Sequence, residues 1–533
     1  MTETFRILIA DPIHEDGRKL LEGNGAFAVD VATGLDEAGL IKRISGYDAL
    51  IVRSKTRVTA PVIAAGVSLK AIGRAGIGVD NIDVPAATER GIVVFNTPDA
   101  NATTTAELTI AHLLSLSRHL PQADRSVRSG DWKPAQFVGS ELAGKTIGII
   151  GFGTIGRLVA VRCAGLRMRV LAFDPFVTPE IMAQSAAEPQ DLDSLLEVAD
   201  YVTMHCPLID KTRNLIDAAR IAKMKPGARL INCARGGLVD EAALLAALKS
   251  GHLAGAALDV FAQEPPKGSP LLDQDNIVLT PHLGASTEEA QQAVSVKIAE
   301  DIALFLTTGA AESAVNLPRI SSEQLSRTRP YQELARALGR LVDSLSGGPI
   351  RELVVRLFGG VAGLDARPIT AEALVGLLDK RLAERVNRVN AAHLARAQGI
   401  EVRESRSEHA RDYISLIEIS AVTERTTTTV AGTLLGGRLP RLVRIDAYEV
   451  EAVPKGHFLF TSHADQPGVV GALGGLLARE AINISRMQVA IDGNNGGSGK
   501  AIALISISDA LPERSLAEIQ NMPAVERAVT FEL

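Results

Sequence analysis

The sequence predicts an α/β protein: two doubly wound parallel-sheet lobes, a third α/β segment and a C-terminal β-α-β-β-α-β unit. Three observations carry that prediction. Gly151-Phe-Gly-Thr-Ile-Gly156 is entered by the apolar run 145–150 and left by the helical run 157–162, the pattern of a strand, a tight turn and a helix. Short β-type runs alternate with Ala- and Glu-containing helical stretches on both sides of that turn. Residues 457–533 alternate differently, with two strands in succession between two helices.

Runs at 5–10, 49–52, 69–72 and 92–95 read as strands of a first lobe. The amphipathic run 105–119 reads as a hinge helix, followed by the turn before Pro121 and the only tryptophan, Trp132. Strands at 145–150, 169–173, 201–205, 228–233, 254–260 and 277–280 give a second parallel sheet. Ser286 and Glu289 predict a capping box opening a helix to about Thr307, long enough to cross back to the first lobe. The polar stretch 321–330 reads as a linker, and a third α/β segment spans 331–453. The last unit reads as strand 457–463, helix 468–480, strands 484–491 and 500–508, helix 515–521 and strand 525–533. Its segment 492–499 reads as a hairpin connection, since a strand and not a helix follows it. The expected domains are 1–100 with 284–318, then 101–283, 319–455 and 456–533.

At 533 residues and 46% hydrophobic content, the chain can bury several cores. A net charge of −6, with acids and bases interspersed, favours neither nucleic acid nor an anionic membrane as principal partner. Cys163, Cys206 and Cys233 lie singly in apolar segments without metal-type spacing, so reduced thiols are expected and no metal. There is no signal-type hydrophobic region and no run of roughly 18 apolar residues. A cytoplasmic protein is the expectation.

The glycine-rich turn carries the first chemical signal. Gly151 permits the tight turn, Gly153 lets backbone approach a pyrophosphate, and Gly156 packs helix on sheet, with Thr154 and Ile155 opening the helix. A second strand ends in Asp174, near the roughly 20-residue offset at which an acid takes ribose hydroxyls. That carboxylate would repel a 2′-phosphate, so the expected cofactor is NAD and not NADP. Such a cofactor needs a substrate carbon beside it. Arg235, between a strand end and two glycines, can fork onto the carboxylate and carbonyl oxygen of a 2-hydroxy acid. His282, after a strand and a Pro, can take the hydroxyl proton as hydride leaves the same carbon. Glu264 can orient His282 and stabilise its charged form. Taken singly, each has an ordinary reading as a structural Arg, a solvated His or a loop acid.

Together, Gly151 to Gly156 with Asp174, Asn232-Cys-Ala-Arg-Gly-Gly237, Ala257-Leu-Asp-Val-Phe-Ala-Gln-Glu-Pro265 and Pro281-His-Leu-Gly284 resemble the D-isomer-specific 2-hydroxy acid dehydrogenases. The resemblance covers residues 1 to about 318. It implies a Rossmann-like NAD-binding domain and a flavodoxin-like substrate domain, with Arg235 as anchor, His282 as acid/base and Glu264 as its partner. It also implies cofactor contacts from Cys233, Asp259 and His282, Asp259 lying near the nicotinamide carboxamide. Arg53-Ser54, Arg74-Ala-Gly-Ile-Gly-Val-Asp-Asn81 and the C-terminal extension are most similar to long family members that oxidise 3-phospho-D-glycerate to 3-phosphohydroxypyruvate, opening the phosphorylated route to serine. Arg53, Arg74 and Ser54 are then the phosphate candidates, with Gly76 and Asn81 at the carboxylate end. Ile77 stands where the family also has a polar residue. Weak reduction of 2-oxoglutarate is a further expectation.

The C-terminal unit resembles an ACT domain, a small-molecule sensor that pairs edge to edge. That resemblance makes His463, Asp465 and Asn483 candidate L-serine contacts; a domain that only dimerises, with Asp465 as a helix cap, is the plainer reading. The middle segment, with Val386-Asn-Arg-Val-Asn-Ala-Ala-His393, resembles the extra domain of the long members, although Ala392 replaces the family's frequent Pro. Arg388, Arg403 and Arg406 are anion-site candidates there. The sensor seam and the region from Leu120 to Phe137 predict two two-fold contacts, hence a homotetramer. A glyoxylate or glycerate reductase and an NAD-controlled corepressor are the competing readings; the former shares Arg235, Glu264 and His282.

Overall fold

The computed structural model describes residues 4–382, 385–409, 412–491 and 499–533. Its first sheet contains β1 (Phe5–Ile9), β2 (Phe27–Val31), β3 (Ala49–Val52), β4 (Ala71–Arg74) and β5 (Val93–Phe95). All are parallel, in the flavodoxin-like order β2-β1-β3-β4-β5. The edge strand β2 escapes the sequence reading because only Phe27 of its five residues is buried. β4 starts at Ala71 and not at 69, since Leu69 donates its N–H back to the Gly66 carbonyl in a turn.

The second sheet contains β6 (Thr146–Ile150), β7 (Arg169–Phe173), β8 (Glu188–Pro189), β9 (Tyr201–Met204), β10 (Ala228–Asn232), β11 (Leu253–Leu258) and β12 (Ile277–Leu279). It is fully parallel in the order β12-β11-β10-β9-β6-β7-β8. The strand order reverses between β6 and β9, which places the topological switch point at their carboxyl ends. The helix Ala102–Arg118 connects the two sheets, burying Ala106, Leu113 and Leu116 in the second core. The helix Glu288–Thr308 crosses back and buries Val294, Ile298 and Ile302 against Ile7, Ile51 and Val93 of the first. Its cap differs from the expected Ser286–Glu289 box: Thr287 is the N-cap, its hydroxyl accepting from the Ala290 N–H. Ser286 is spent in a turn, donating its N–H to the Leu283 carbonyl.

The stretch 321–330 is not a linker. It forms the first turns of the helix Ser322–Leu345, opened by a capping box between Ser321 and Gln324. Pro330 inside this helix removes one i→i−4 bond. Burial of Leu334, Leu338, Leu341 and Leu345 against the next sheet outweighs that loss. That sheet contains β13 (Ile350–Gly359), β14 (Glu401–Ser407), β15 (Ser415–Thr423), β16 (Thr427–Leu435), β17 (Leu439–Ile445) and β18 (Tyr448–Ala452), in the order β14-β13-β15-β16-β17-β18. Only the β13–β14 pair is parallel.

The C-terminal sheet contains β19 (His457–Ala464), β20 (Ile484–Ile491), β21 (Lys500–Ile507) and β22 (Val525–Glu532), antiparallel in the order β20-β21-β19-β22. With the helices Val469–Arg479 and Glu513–Gln520 this is the expected β-α-β-β-α-β order. Residues 492–498 of the expected hairpin connection lie outside the described residues. The helices cover one face of the sheet through Leu473, Leu476 and Ile519. The other face sends Phe458, Phe460, Ile502, Leu504 and Phe531 into the same core as Leu334, Leu338 and Ile419 of the preceding unit.

Candidate active site

At the switch point, Gly151 has φ 91°, and a Cβ there would lie 2.6 Å from the Cys206 amide nitrogen beyond β9. A Cβ on Gly156 would lie 2.2 Å from the Gly151 carbonyl oxygen, so the helix Thr154–Gly165 sits directly on the turn. Gly153 caps that helix without a side chain, and a Cβ on it would meet nothing within 4 Å. The open amides of the helix N-terminus therefore face free space, as a pyrophosphate requires. Asp174, at the end of β7, accepts from the Phe152 N–H at 2.8 Å and the Phe176 N–H at 2.9 Å, one bond to each carboxylate oxygen. Each oxygen keeps lone pairs for ribose hydroxyls. Thr154 donates across the cleft to Asp99 at 3.1 Å, and Ile155 packs at the edge of the core. Behind the turn, burial pushes His205 down to about 3, so it is neutral. These residues fit NAD.

Further along the sheet edge, His282 Nδ1 lies 2.7 Å from Glu264 Oε2. Burial alone would raise the Glu264 carboxyl; hydrogen bonding and charge from His282, the Phe261 N–H and Arg235 outweigh it and hold the carboxyl below its ordinary value. With Nδ1 engaged, Nε2 is the ring atom left to exchange a proton. His282 has φ 57°, uncommon for a non-glycine residue, and its loop is tied to Asp259. That fully buried carboxylate accepts from Thr280 Oγ1 at 2.6 Å, the Leu283 N–H at 2.7 Å and the Gly284 N–H at 2.9 Å. Among the described residues, the Asp259 carboxylate bonds to the His282 loop. Cys233 lies beside it, and burial pushes its thiol up to about 12.

The opposite wall belongs to the first sheet. Arg235 reaches across it: Nε donates to Asp80 at 2.8 Å and Nη1 to the Ala234 carbonyl at 2.7 Å. Nη2 lies where a Cβ on Gly78 would be, 1.7 Å from that point. Arg74, ending β4, folds over Gly76, whose φ is 145°. Burial pushes Arg74 down to about 10, helped by the charges of Arg235 and Arg53, and its buried Nε has no hydrogen-bond partner among the described residues. Arg53 donates its backbone N–H to Asp11 at 2.7 Å and Nη1 to the Pro12 carbonyl at 3.4 Å. Ser54 beside it is exposed. Both N–H bonds of the Asn81 amide are spent at 2.7 Å on the carbonyls of Arg53 and Thr56. The Asn81 side chain thus braces the loop that carries Arg53.

Sequence reasoning missed Asp80, the ion-pair partner of Arg235, and the polar face of the hinge helix. There Thr105 donates to the Gly284 carbonyl at 2.8 Å, and His112 Nε2 lies 3.0 Å from Thr280 Oγ1. No motif marks them; only their helical spacing on the side facing 280–284 could have done so.

The remaining candidates belong to the units of the third and fourth sheets. His463 is buried, its Nδ1 3.1 Å from Thr461 Oγ1, and burial lowers its proton affinity. Asp465 is exposed and does not cap the following helix, whose N-cap is Gly468 with no side-chain bond. Asn483 is exposed and is bonded to Ser508 through its backbone. Arg403 pairs with Glu352 and Glu401, and Arg406 with Glu404. Arg388 is half-buried between the Gly309 carbonyl and Glu372.

A turn that seats a dinucleotide, and a histidine with one free ring nitrogen beyond it, define an NAD-dependent dehydrogenase. Residues 110–284 match the family model described as the D-isomer specific 2-hydroxyacid dehydrogenase, NAD binding domain, and residues 327–446 match the D-3-phosphoglycerate dehydrogenase intervening domain. The chain is 44% identical to D-3-phosphoglycerate dehydrogenase of Synechocystis sp., over 99% of this chain and 95% of that protein. It is 42% identical to the enzyme of that name from Archaeoglobus fulgidus, over 99% and 100%. Among solved structures, D-lactate dehydrogenase from Aquifex aeolicus complexed with NAD and lactic acid matches with TM-score 0.52 at 26% identity, covering 57% of this chain and 95% of that one. A glyoxylate reductase from Paecilomyes thermophila matches with TM-score 0.56 at 29% identity, covering 59% and 99%. The chain belongs to the D-3-phosphoglycerate dehydrogenases, within the D-isomer-specific 2-hydroxyacid dehydrogenase family.

Proposed function

We propose that this enzyme oxidises 3-phospho-D-glycerate to 3-phosphohydroxypyruvate, the first step of the phosphorylated route to L-serine. The observation that carries the substrate is the cluster of Arg53, Arg74 and Arg235 in the cleft, in which Arg74 is half-buried beside two like charges with its Nε unpartnered among the described residues. Mutual repulsion in a half-buried site is relieved by a multivalent anion, and a ligand with a carboxylate and a phosphate supplies one. Gly76 and the backbone to Gly78 lie under Arg74 and Arg235, at the carboxylate end, with Ser54 a further donor toward the phosphate.

NAD supplies the hydride acceptor. Arg235 holds the carboxylate and the hydroxyl oxygen so that the C2 hydrogen faces the cofactor. His282 Nε2 takes the hydroxyl proton as two electrons leave C2 as hydride and the C2–O double bond forms. Glu264, ionised across the neutral range, stabilises the resulting imidazolium. The four sheets support the division into a substrate domain of 1–100 with 284–318, an NAD domain of 101–283, a middle domain of 319–455 and an ACT domain of 456–533. The domain seams and the tethered His282 loop fit closure around the substrate.

Feedback by L-serine at the ACT domain is part of this reading. Strand register puts His463 beside Ala501, which faces Ile491 of β20, whereas Asn483 precedes the other end of β20. Those ends are roughly 20 Å apart. His463 and Asp465 therefore meet Asn483 only across a two-fold between β20 edges of two subunits. The second contact of a cytoplasmic homotetramer would use the exposed Trp132, Val127 and Val138. Weak reduction of 2-oxoglutarate belongs to the same anion-binding site.

The test is NADH oxidation with 3-phosphohydroxypyruvate, hydroxypyruvate and 2-oxoglutarate, each with and without L-serine. Preference for the phosphorylated acid, slowed by serine, is the expected result. Equal rates on all three would assign a general 2-keto acid reductase instead.

A further inference from the structure

The hinge helix Ala102–Arg118 grips the loop that carries His282. Thr105 Oγ1 donates to the Gly284 carbonyl at 2.8 Å, and Thr104 and Thr287 hydroxyls meet at 3.3 Å. Two turns further on, His112 is 3% exposed with Nε2 3.0 Å from Thr280 Oγ1. The Thr280 hydroxyl has a single proton and gives it to Asp259 Oδ1 at 2.6 Å. What it offers His112 is a lone pair, so His112 must donate from Nε2–H. Asp259 in turn holds the amides of Leu283 and Gly284, on the far side of a His282 whose φ is 57°. A continuous chain of bonds thus runs from the hinge helix to the backbone that aims the imidazole.

We propose that His112 is a positioning residue: through Thr280 and Asp259 it fixes the His282 loop to the hinge helix and so holds the aim of the acid/base. Burial lowers the proton affinity of His112, with the Asp259 carboxylate the opposing charge, so it serves as a neutral donor. Nothing in the chain transfers protons to substrate. Its work is to keep one loop geometry in register with one helix. Because a side chain on the hinge sits at one end and the catalytic loop at the other, loss of the link should weaken turnover and leave ligand binding intact.

This inference rests on the reading of His282 as acid/base, and the experiment separates the two. His112→Leu fills the space without a donor, and His112→Gln returns an N–H at similar reach. With the 2-keto acid that the wild type reduces fastest, His112→Leu should lower kcat about fivefold while KM for both substrates changes less than about twofold. His112→Gln should restore kcat to within about twofold. Thr280→Val and Thr280→Ser repeat the test at the next link should His112→Leu not fold: Val loses kcat and Ser keeps it. Wild-type kcat in His112→Leu, or a Gln variant as slow as Leu, would overturn the positioning role. Turnover that survives His282→Ala would instead overturn the acid/base reading.

Discussion

The front and rear halves of the molecule are joined in opposite ways. In front, each parallel sheet has its own cores, and the cleft between them is crossed by polar links: Arg235 to Asp80, Thr154 to Asp99, and the hinge helix to the 284–287 loop. At the rear, the middle and C-terminal sheets share one apolar core in which Phe458 stacks on Phe531, ring centroids 5.5 Å apart. Polar links across a wet seam exchange with water at small net cost, whereas a shared core resists shear. The front seam therefore yields more readily than the rear core, which couples its two sheets. A ligand on the C-terminal sheet would therefore act on the front through the whole rear unit. That unit grips the first lobe where Asn387 donates to the Gly91 carbonyl at 2.8 Å and Asn390 to the Glu89 carbonyl at 3.1 Å.

The largest expected effect lies in the front. His282→Ala should reduce turnover about a thousandfold, with NADH affinity measured by fluorescence little changed. At the rear, Phe458→Ala should cost about 3 kcal/mol and destabilise the middle and C-terminal units together. Hydrogen exchange in β13–β18 and β19–β22 should rise in parallel; protection lost from the C-terminal sheet alone would contradict that coupling. Glu264→Gln should act on the pH profile. Removing the anion disfavours the imidazolium, so the reduction loses rate toward neutral pH and the oxidation extends to lower pH. An unshifted profile would remove Glu264 from the site. The smallest effect is at the thiols. Burial pushes Cys163 and Cys233 up to about 12 and Cys206 up to about 11, so alkylating reagents at neutral pH should leave activity unchanged.

The front was largely legible in sequence because its chemistry sits on motifs at strand ends. The glycine turn, Asp174, Arg235, Glu264 and His282 are each set by local chain geometry, and the fold brings them to one cleft. What was not legible depended on distance along the chain. Asp80 pairs with a residue 155 positions away, and His112 reads as one more polar residue on a helix until Thr280 is placed against it. The polar stretch 321–330 reads as a linker because its own residues carry few apolar side chains; the core that Leu334 and Leu338 enter further along makes it the start of a helix. The shared rear core leaves no local mark, because Phe458 or Ile502 looks the same whether it faces its own domain or the neighbouring one.

The most direct test of the substrate assignment is the ratio of kcat/KM for 3-phosphohydroxypyruvate over hydroxypyruvate, in wild type and Arg74→Ala. Loss of one charge-assisted contact worth about 2 kcal/mol predicts a ratio that falls about thirtyfold in the variant, with hydroxypyruvate reduction little changed. A ratio near one in the wild type, or one that Arg74→Ala leaves untouched, would contradict a phosphate held by the arginine wall.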